Sequence, residues 1–275
     1  MDMMRYLFLA CLQGVTEFLP VSSSGHLVFF QEIIGFKEPL FVFDVILHLA
    51  TVFSVIVFLR KDILSIVKEA VVAVNKISKG TSLKEVWREL EYLRLFVFVI
   101  AALIPAIVIG LLFYSIVEEM FSSLRVITYS FFVTGTILFL TKGKGKPDKK
   151  KQITLNDSLL IGLAQAAAII PGISRSGVTI SSGMFRGLDK ELAARFSFLL
   201  SIPTIAAAAI YQLRNGLGEL SIGSLELGLS FLAAFLSGYC ALLVLSKMIA
   251  RAKFHYFSFY CWGMGFICIA VLLKG

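Results

Sequence analysis

Two charged residues interrupt long apolar stretches of the chain. Glu17 lies in residues 13–26, QGVTEFLPVSSSGH, and Arg175 lies in residues 171–180, PGISRSGVTI. A charged side chain at membrane depth is energetically costly, and such residues usually mark functional sites. These two segments are therefore where we expect chemistry. An ion pair between Glu17 and a basic partner such as Arg175, with no further role, is the structural alternative.

The segment around Arg175 has the residue types of an anion site. The guanidinium group offers five fixed donors that suit phosphate. Small and hydroxyl residues around it allow a tight turn whose N–H and O–H groups converge, and a helix beginning after the turn adds positive partial charge. The first segment has a similar turn after Pro20. The predicted phosphate-binding residues are Ser22, Ser24, Gly25, Ser174, Ser176, Gly177 and Thr179.

The first segment adds groups that can carry out phosphoryl transfer. Gln13 and Glu17 are four residues apart and share a helix face, where their oxygens could hold Mg²⁺ or Ca²⁺. His26 can exchange a proton near neutral pH, and Ser23 lies between the acid and the histidine as a candidate nucleophile. Together with Arg175 these residues predict a catalytic site.

Asp44 and His48 form another pair, four residues apart in an apolar segment. Residues at this spacing lie on one face of a helix. They could hydrogen-bond to each other, or they could hydrogen-bond to the residues that bind the ligand and so position them.

The composition indicates a membrane protein. Of 275 residues, 58% are hydrophobic and 16% are charged, whereas soluble domains average about 45–50% and about 25%. A net charge of +8 would suggest nucleic acid in a soluble protein. Here basic residues are better explained by membrane topology, so we predict no nucleic-acid partner. The four cysteines lie in apolar runs without the spacing of a zinc site.

The apolar runs predict an all-α integral membrane fold with six transmembrane helices and two re-entrant helical hairpins. Six uncharged or nearly uncharged runs approach the roughly 20 residues that a spanning helix needs. Two further segments, 6–35 and 156–186, are broken by proline, glycine and serine, and are interpreted as hairpins. The predicted spans lie near residues 41–59, 95–117, 124–141, 192–213, 226–247 and 254–273.

The order of one hairpin and three spans occurs twice, which predicts an inverted repeat. The halves are 1–141 and 155–275, joined by a basic cytoplasmic linker, 142–154. Twenty of the 26 Lys and Arg residues fall on one side of the predicted spans, and this places both termini outside. A shift of 152 residues aligns Gln13 with Gln165, and aligns the serine and glycine positions of the two turns. Paired broken segments in inverted halves point to a site at the membrane midplane.

The two segments resemble the motifs of the undecaprenyl-diphosphate phosphatase family, the bacitracin-resistance membrane proteins. QGVTEFLPVSSSGH is similar to the family's (E/Q)xxxE motif with its following turn, and PGISRSGVTI is similar to its PGxSRSxxT motif. The resemblance implies removal of the terminal phosphate of undecaprenyl diphosphate in the bacterial cytoplasmic membrane. It also implies a required divalent cation and a site open to the outer face.

The resemblance assigns roles to matching positions of this chain. Glu17 is the motif acid, Ser23 the nucleophile, His26 the acid/base and Arg175 the phosphate clamp. Gln13 stands where many relatives have a second glutamate, so a metal site with two carboxylates is not expected at these positions.

Alternatives stay open at this point. Inverted repeats with broken helices are also typical of transporters, so the chain could move a polyprenyl phosphate across the bilayer. A structural scaffold would leave Glu17 and Arg175 unexplained. For an enzyme, water activated by Glu17 or His26 could attack in place of Ser23. The sequence leaves open whether the protein is a monomer or a homodimer.

Overall fold

The computed structural model describes residues 2–35, 41–121, 123–144, 152–215 and 222–273. Within these ranges the secondary structure is helical with no β-strand, which confirms the predicted all-α class. The helices are α1 (Asp2–Phe18), α2 (Ser23–Ile34), α3 (Phe41–Phe58), α4 (Arg60–Ser78), α5 (Leu83–Glu89), α6 (Glu91–Leu112), α7 (Tyr114–Phe121), α8 (Leu124–Phe139), α9 (Leu155–Ala167), α10 (Arg175–Phe185), α11 (Lys190–Asn215), α12 (Ser224–Ala250), a short 3-10 helix (Phe254–Tyr256) and α13 (Phe257–Leu272).

Several helices are long and apolar enough to cross a membrane. Four segments of the described residues qualify, namely α6, most of α11, α12 and the segment Phe254–Leu272. Helices α3 and α4 qualify together, but they are bent by 75° at the break between them. Helix α8 is apolar but has only 16 residues. Each of the six predicted spans overlaps a helix. By length and hydropathy, four of the described helices could cross a membrane, or five if the bent pair counts as one span. The full set of six spans therefore stays a prediction.

The surface of the apolar helices is itself apolar, as expected of a protein in lipid. Only about a third of the apolar window of α6 is buried inside the protein, and the fraction in α12 is 28%. Large side chains such as Leu112, Leu232 and Phe266 are exposed. Because a water-facing surface of this kind would be unfavourable, the chain is a multi-pass membrane protein.

Both segments that were predicted to be interrupted are broken helices. Helices α1 and α2 are separated by residues 19–22, and α9 and α10 by residues 168–174. Pro20 and Pro171 lie in the breaks, and Gly172 has a φ of +89°, which favours glycine. The helices are 17, 12, 13 and 11 residues long. The lengths fit the predicted hairpins, whose return to the starting side stays a prediction.

Several helices of the predicted first half pack against helices of the predicted second half. Helix α1, which precedes the first break, packs against α12, and α9, which precedes the second break, packs against α6. Helix α3 packs against both α11 and α12, and α8 packs against α13. Glycines permit the contacts of α1 with α12 and of α9 with α6: a Cβ at Gly14 would lie 2.5 Å from the Ala234 carbonyl oxygen, and one at Gly162 would lie 2.3 Å from that of Ala102. Close backbone approach at these crossings therefore depends on glycine.

The breaks lie on the main apolar core. Phe18 and Val21 of the first broken segment and Ile180 of the second belong to the same cluster of buried apolar residues. Phe18 packs edge-on against Phe198 of α11. The predicted linker 142–154 lies largely outside the described residues, which stop at 144 and resume at 152.

Candidate active site

The two breaks end in the same capping arrangement. Ser22 caps α2 and accepts a hydrogen bond from the Gly25 N–H at 3.3 Å, and Ser174 caps α10 and accepts one from the Gly177 N–H at 3.1 Å. These are the positions that a 152-residue shift aligns in the sequence. Serine is a preferred N-cap because its oxygen satisfies an unpaired N–H of the first turn. The serine and glycine positions that repeat in the sequence therefore form the same capping hydrogen bond in both segments.

The two turns contact each other directly. The Gly172 N–H donates to Ser24 Oγ at 3.3 Å, and Ser176 Oγ donates to the Leu19 carbonyl at 3.3 Å. A Cβ on Gly25 would lie 3.1 Å from Gly172 Cα, so larger residues would hold the turns apart. Residues about 150 apart in the chain therefore form one polar centre.

Glu17 accepts hydrogen bonds from three side chains of this polar centre. Its Oε1 accepts from the Arg175 guanidinium at 2.9 Å, and its Oε2 accepts from Gln13 Nε2 at 2.8 Å and from Ser23 Oγ at 2.7 Å. His48 Nε2 lies 3.8 Å from Oε2. The Glu17 side chain is 5% exposed and that of Arg175 is 14% exposed, so the charge pair is held away from bulk solvent.

The helix termini add to the positive charge at this point. Ser23 is the first residue of α2 and Arg175 is the first residue of α10, and both contact Glu17. The N-terminus of a helix carries positive partial charge and unpaired N–H groups. Two such termini together with the Arg175 guanidinium favour a bound anion, and phosphate is well matched to this set.

His26 forms its hydrogen bonds with Ser22 and Tyr260 and not with Glu17. Its Nδ1 lies 2.7 Å from the Ser22 carbonyl, and because a carbonyl only accepts, Nδ1 carries the hydrogen. Its Nε2 lies 2.8 Å from the Tyr260 hydroxyl, and the two rings are stacked. Both ring nitrogens are therefore engaged, and neither bonds Ser23 in this conformation.

Two other predicted groups are also engaged elsewhere. Thr179 Oγ1 donates to the Arg175 carbonyl at 2.8 Å and lies 2.6 Å from Ser197 Oγ of α11. Thr179 therefore links α10 to α11. The Asp44 carboxylate accepts from Gln31 Nε2 at 3.1 and 3.3 Å. Its pairing with His48 is through the backbone, since His48 Nδ1 donates to the Asp44 carbonyl at 2.7 Å.

The chain is similar to known proteins over nearly its whole length. The family model described as bacitracin resistance protein BacA matches residues 6–267. The chain belongs to the BacA family. A relative from Methanobrevibacter smithii, named undecaprenyl-diphosphatase, is 42% identical over 97% of this chain and 96% of its own length. Relatives with that name from Desulforapulum autotrophicum and Alkaliphilus metalliredigens are 41% and 39% identical, over 98% of both chains in each case.

The site contains a few side chains whose oxygens fit a divalent cation. No cluster of three or more His, Cys, Asp or Glu side chains within the described ranges could hold a metal by itself. Gln13 Oε1, however, is buried and has no hydrogen-bond partner in the part of the chain that the structure describes. An orphaned buried acceptor is uncommon and requires an explanation. Next to the Glu17 carboxylate, it is a suitable oxygen ligand for a hard cation.

Three residues of the BacA site were not predicted from the sequence. Thr134 of α8 donates to the Gly172 carbonyl and accepts from the Ser174 N–H, so it fixes the second turn. Tyr260 contacts His26, and Ser197 contacts Thr179. All three are polar residues in largely apolar helices. Polar residues in such helices often form interhelical hydrogen bonds, and that is the signal that could have identified them.

Proposed function

We propose that this protein hydrolyses undecaprenyl diphosphate to undecaprenyl phosphate and inorganic phosphate. The reaction would recycle the lipid carrier of cell-wall synthesis and give resistance to bacitracin. The supporting observation is that buried Glu17 is hydrogen-bonded to Ser23 and Arg175, the first residues of α2 and α10. Membership of the BacA family and the names of the relatives support the same activity.

The diphosphate would bind where the two turns meet. Arg175 would contact a phosphate oxygen, and N–H groups of the first turns of α2 and α10 would contact others. The isoprenyl tail would lie against the apolar helix surfaces in the membrane. In the full arrangement of six spans and two re-entrant hairpins, this site would open to the outer face of the cytoplasmic membrane.

Ser23 is the proposed nucleophile and Glu17 its base. Ser23 Oγ already donates to Glu17 Oε2 at 2.7 Å, which is a geometry suited to proton transfer. Attack on the terminal phosphorus would form a serine–phosphorus ester and break the bond to the bridging oxygen, releasing undecaprenyl phosphate. Water would then cleave the ester. Arg175 would stabilise charge on the transferring phosphoryl group.

Direct attack by water is the competing route, and the two routes differ in an isolable species. Acid quenching during turnover, followed by peptide mass spectrometry, should detect phosphoserine at position 23. Ser23→Ala should abolish both the phosphopeptide and turnover. Retained turnover in Ser23→Ala would favour water activated by Glu17.

A divalent cation such as Mg²⁺ or Ca²⁺ would be held by Glu17, Gln13 and oxygens of the substrate. When bound, it supplies charge that neutralises the diphosphate. Gln13 and Glu17 share one face of α1, so both side chains could serve as ligands of one ion.

The test of the proposed function is phosphate release from farnesyl diphosphate by detergent-purified protein. We expect metal-dependent release by the unaltered protein and at least a hundred-fold loss in Arg175→Ala, since removing one such donor costs about 10²–10³ in rate. Arg88→Ala, in the exposed helix α5, is the matched control and should be fully active. Absence of release with any divalent ion would refute hydrolysis and favour lipid transport, to be assayed in vesicles.

A further inference from the structure

We infer that His48 is a nitrogen ligand of the divalent cation. The inference rests on the proposed function, because it assumes that a cation acts at Glu17. It goes beyond that proposal by naming a third protein ligand, an imidazole nitrogen beside the oxygens of Glu17 and Gln13.

The hydrogen bonding of His48 exposes one ring nitrogen to Glu17. Nδ1 lies 2.7 Å from the Asp44 carbonyl oxygen, which can only accept, so Nδ1 carries hydrogen. A neutral imidazole then presents the Nε2 lone pair, 3.8 Å from Glu17 Oε2. Metal-binding histidines typically fix their tautomer by donating the other N–H in this way. The bond to Asp44 is therefore the support that a metal ligand needs.

The separation suits one shared cation. Two bonds of about 2.1 Å each, from a carboxylate oxygen and an imidazole nitrogen, can span up to about 4.2 Å. The observed 3.8 Å lies within that span. It is longer than a direct hydrogen bond, for which N···O distances of about 2.7–3.2 Å are usual. The distance between Nε2 and Oε2 is therefore longer than a hydrogen bond and short enough for one ion to contact both atoms.

Gln13 supplies an independent observation. Its side chain is fully buried, and its Oε1 has no hydrogen-bond partner among the described residues. Its Nε2 donates to the same Glu17 oxygen that His48 approaches. Glu17 Oε2 is therefore approached by Nε2 of His48 and by an amide whose own oxygen has no donor among the described residues. A cation shared by these side chains would give that amide oxygen a partner.

The simpler alternative is a protonated His48 that forms an ion pair with Glu17. In that case no metal–nitrogen bond would exist, and Gln13 Oε1 would stay unexplained. The side chain of His48 is 31% exposed, so an ion or water can reach it. The two alternatives differ in whether a bound metal senses the imidazole nitrogen.

The test uses Mn²⁺ with methylene diphosphonate, a diphosphate that cannot be hydrolysed, on full-length protein in detergent. Electron spin-echo spectroscopy detects nitrogen directly bound to Mn²⁺. We expect a nitrogen coupling in the unaltered protein, changed by ¹⁵N-histidine labelling and lost in His48→Gln. His255→Gln, at the 3-10 helix, is the matched control and should keep the coupling. Mn²⁺ affinity should fall at least ten-fold in His48→Gln alone.

Metal preference provides a second measurement. His48→Glu replaces nitrogen with a carboxylate, so Ca²⁺ and Mg²⁺ should compete for the site at least ten-fold better relative to Mn²⁺ than in the unaltered protein. Bound Mn²⁺ without histidine coupling, or no protein-bound Mn²⁺, would overturn the inference. Phosphate release by the same preparations tests the proposed function separately. Hydrolysis without nitrogen coupling would refute only the His48 ligand, and nitrogen coupling without hydrolysis would refute only the enzyme.

Discussion

The ion pair between Glu17 and Arg175 should couple strongly in a double-mutant cycle. At 2.9 Å and an effective dielectric constant of about 20, the attraction between unit charges is about 6 kcal/mol. Desolvation offsets much of this, because the two side chains are only 5% and 14% exposed. Removing one partner leaves the other charge buried and unpaired, so Glu17→Gln or Arg175→Gln alone should lower the free energy of unfolding by about 3–5 kcal/mol.

The double variant Glu17→Gln/Arg175→Gln should be less destabilised than the sum of the two single variants, because it leaves no unpaired charge. We expect a coupling energy of at least about 2 kcal/mol. The measurement is unfolding of the micelle-bound protein by sodium dodecyl sulfate, followed by tryptophan fluorescence. All three variants should lose phosphatase activity.

The exposed pair Lys76–Glu89 between α4 and α5 provides the control cycle. Its side chains are 35% and 53% exposed, and pairs of this kind couple by about 0–1 kcal/mol. Near-additive effects at Glu17 and Arg175, with a coupling below about 1 kcal/mol, would refute the buried pair as the link between the two turns.

Three further perturbations test other parts of the structure. Gly162→Ala should lower the free energy of unfolding by about 1–3 kcal/mol, because its Cβ would meet the Ala102 carbonyl. Gly228→Ala has open space, so the same detergent titration should show no loss, and equal effects would contradict the close crossing. Tyr260→Phe should destabilise by about 1–3 kcal/mol, because the buried His26 Nε2 loses its donor. An unchanged titration curve would argue against that bond. Exhaustive EDTA should abolish phosphate release and added Mg²⁺ or Ca²⁺ should restore it, whereas an undiminished rate would refute cation dependence.

The helical class and the positions of the two breaks could be predicted from the sequence. Apolar runs of about 20 residues have few alternatives in a membrane, since backbone groups must be satisfied within helices. Proline and glycine near positions 20 and 172 interrupt the helices for local steric reasons. The serine caps could be anticipated as well, because capping depends on residues within three positions of each other.

The number of spans was harder to predict, because length and hydropathy do not distinguish a span from a short buried helix. Helix α8 has 16 residues, and α3 continues after a sharp bend into the amphipathic helix α4. The residues 41–59 and 124–141 were predicted as spans from apolar character alone. How such segments sit in the bilayer depends on the helices that surround them.

The direction of each polar side chain also required the tertiary structure. Spacing placed Asp44 and His48 on one face, yet His48 contacts Glu17 while the Asp44 carboxylate contacts Gln31. His26 lies three residues from Ser23, but it bonds Tyr260, which is 234 residues away. Neither partner could be inferred from local spacing, because contacts between distant helices depend on how those helices cross.

The sequence by itself therefore determined a helical membrane protein with two serine-capped breaks, one carrying Glu17 and the other Arg175. Local steric and hydrogen-bonding rules are sufficient for those features. Only the tertiary structure decided that the two breaks touch, with Arg175 2.9 Å from Glu17, and which nitrogen of His48 faces that acid. Those distances depend on close helix crossings at Gly14 and Gly162, where backbones 220 and 60 residues apart in the chain come into contact.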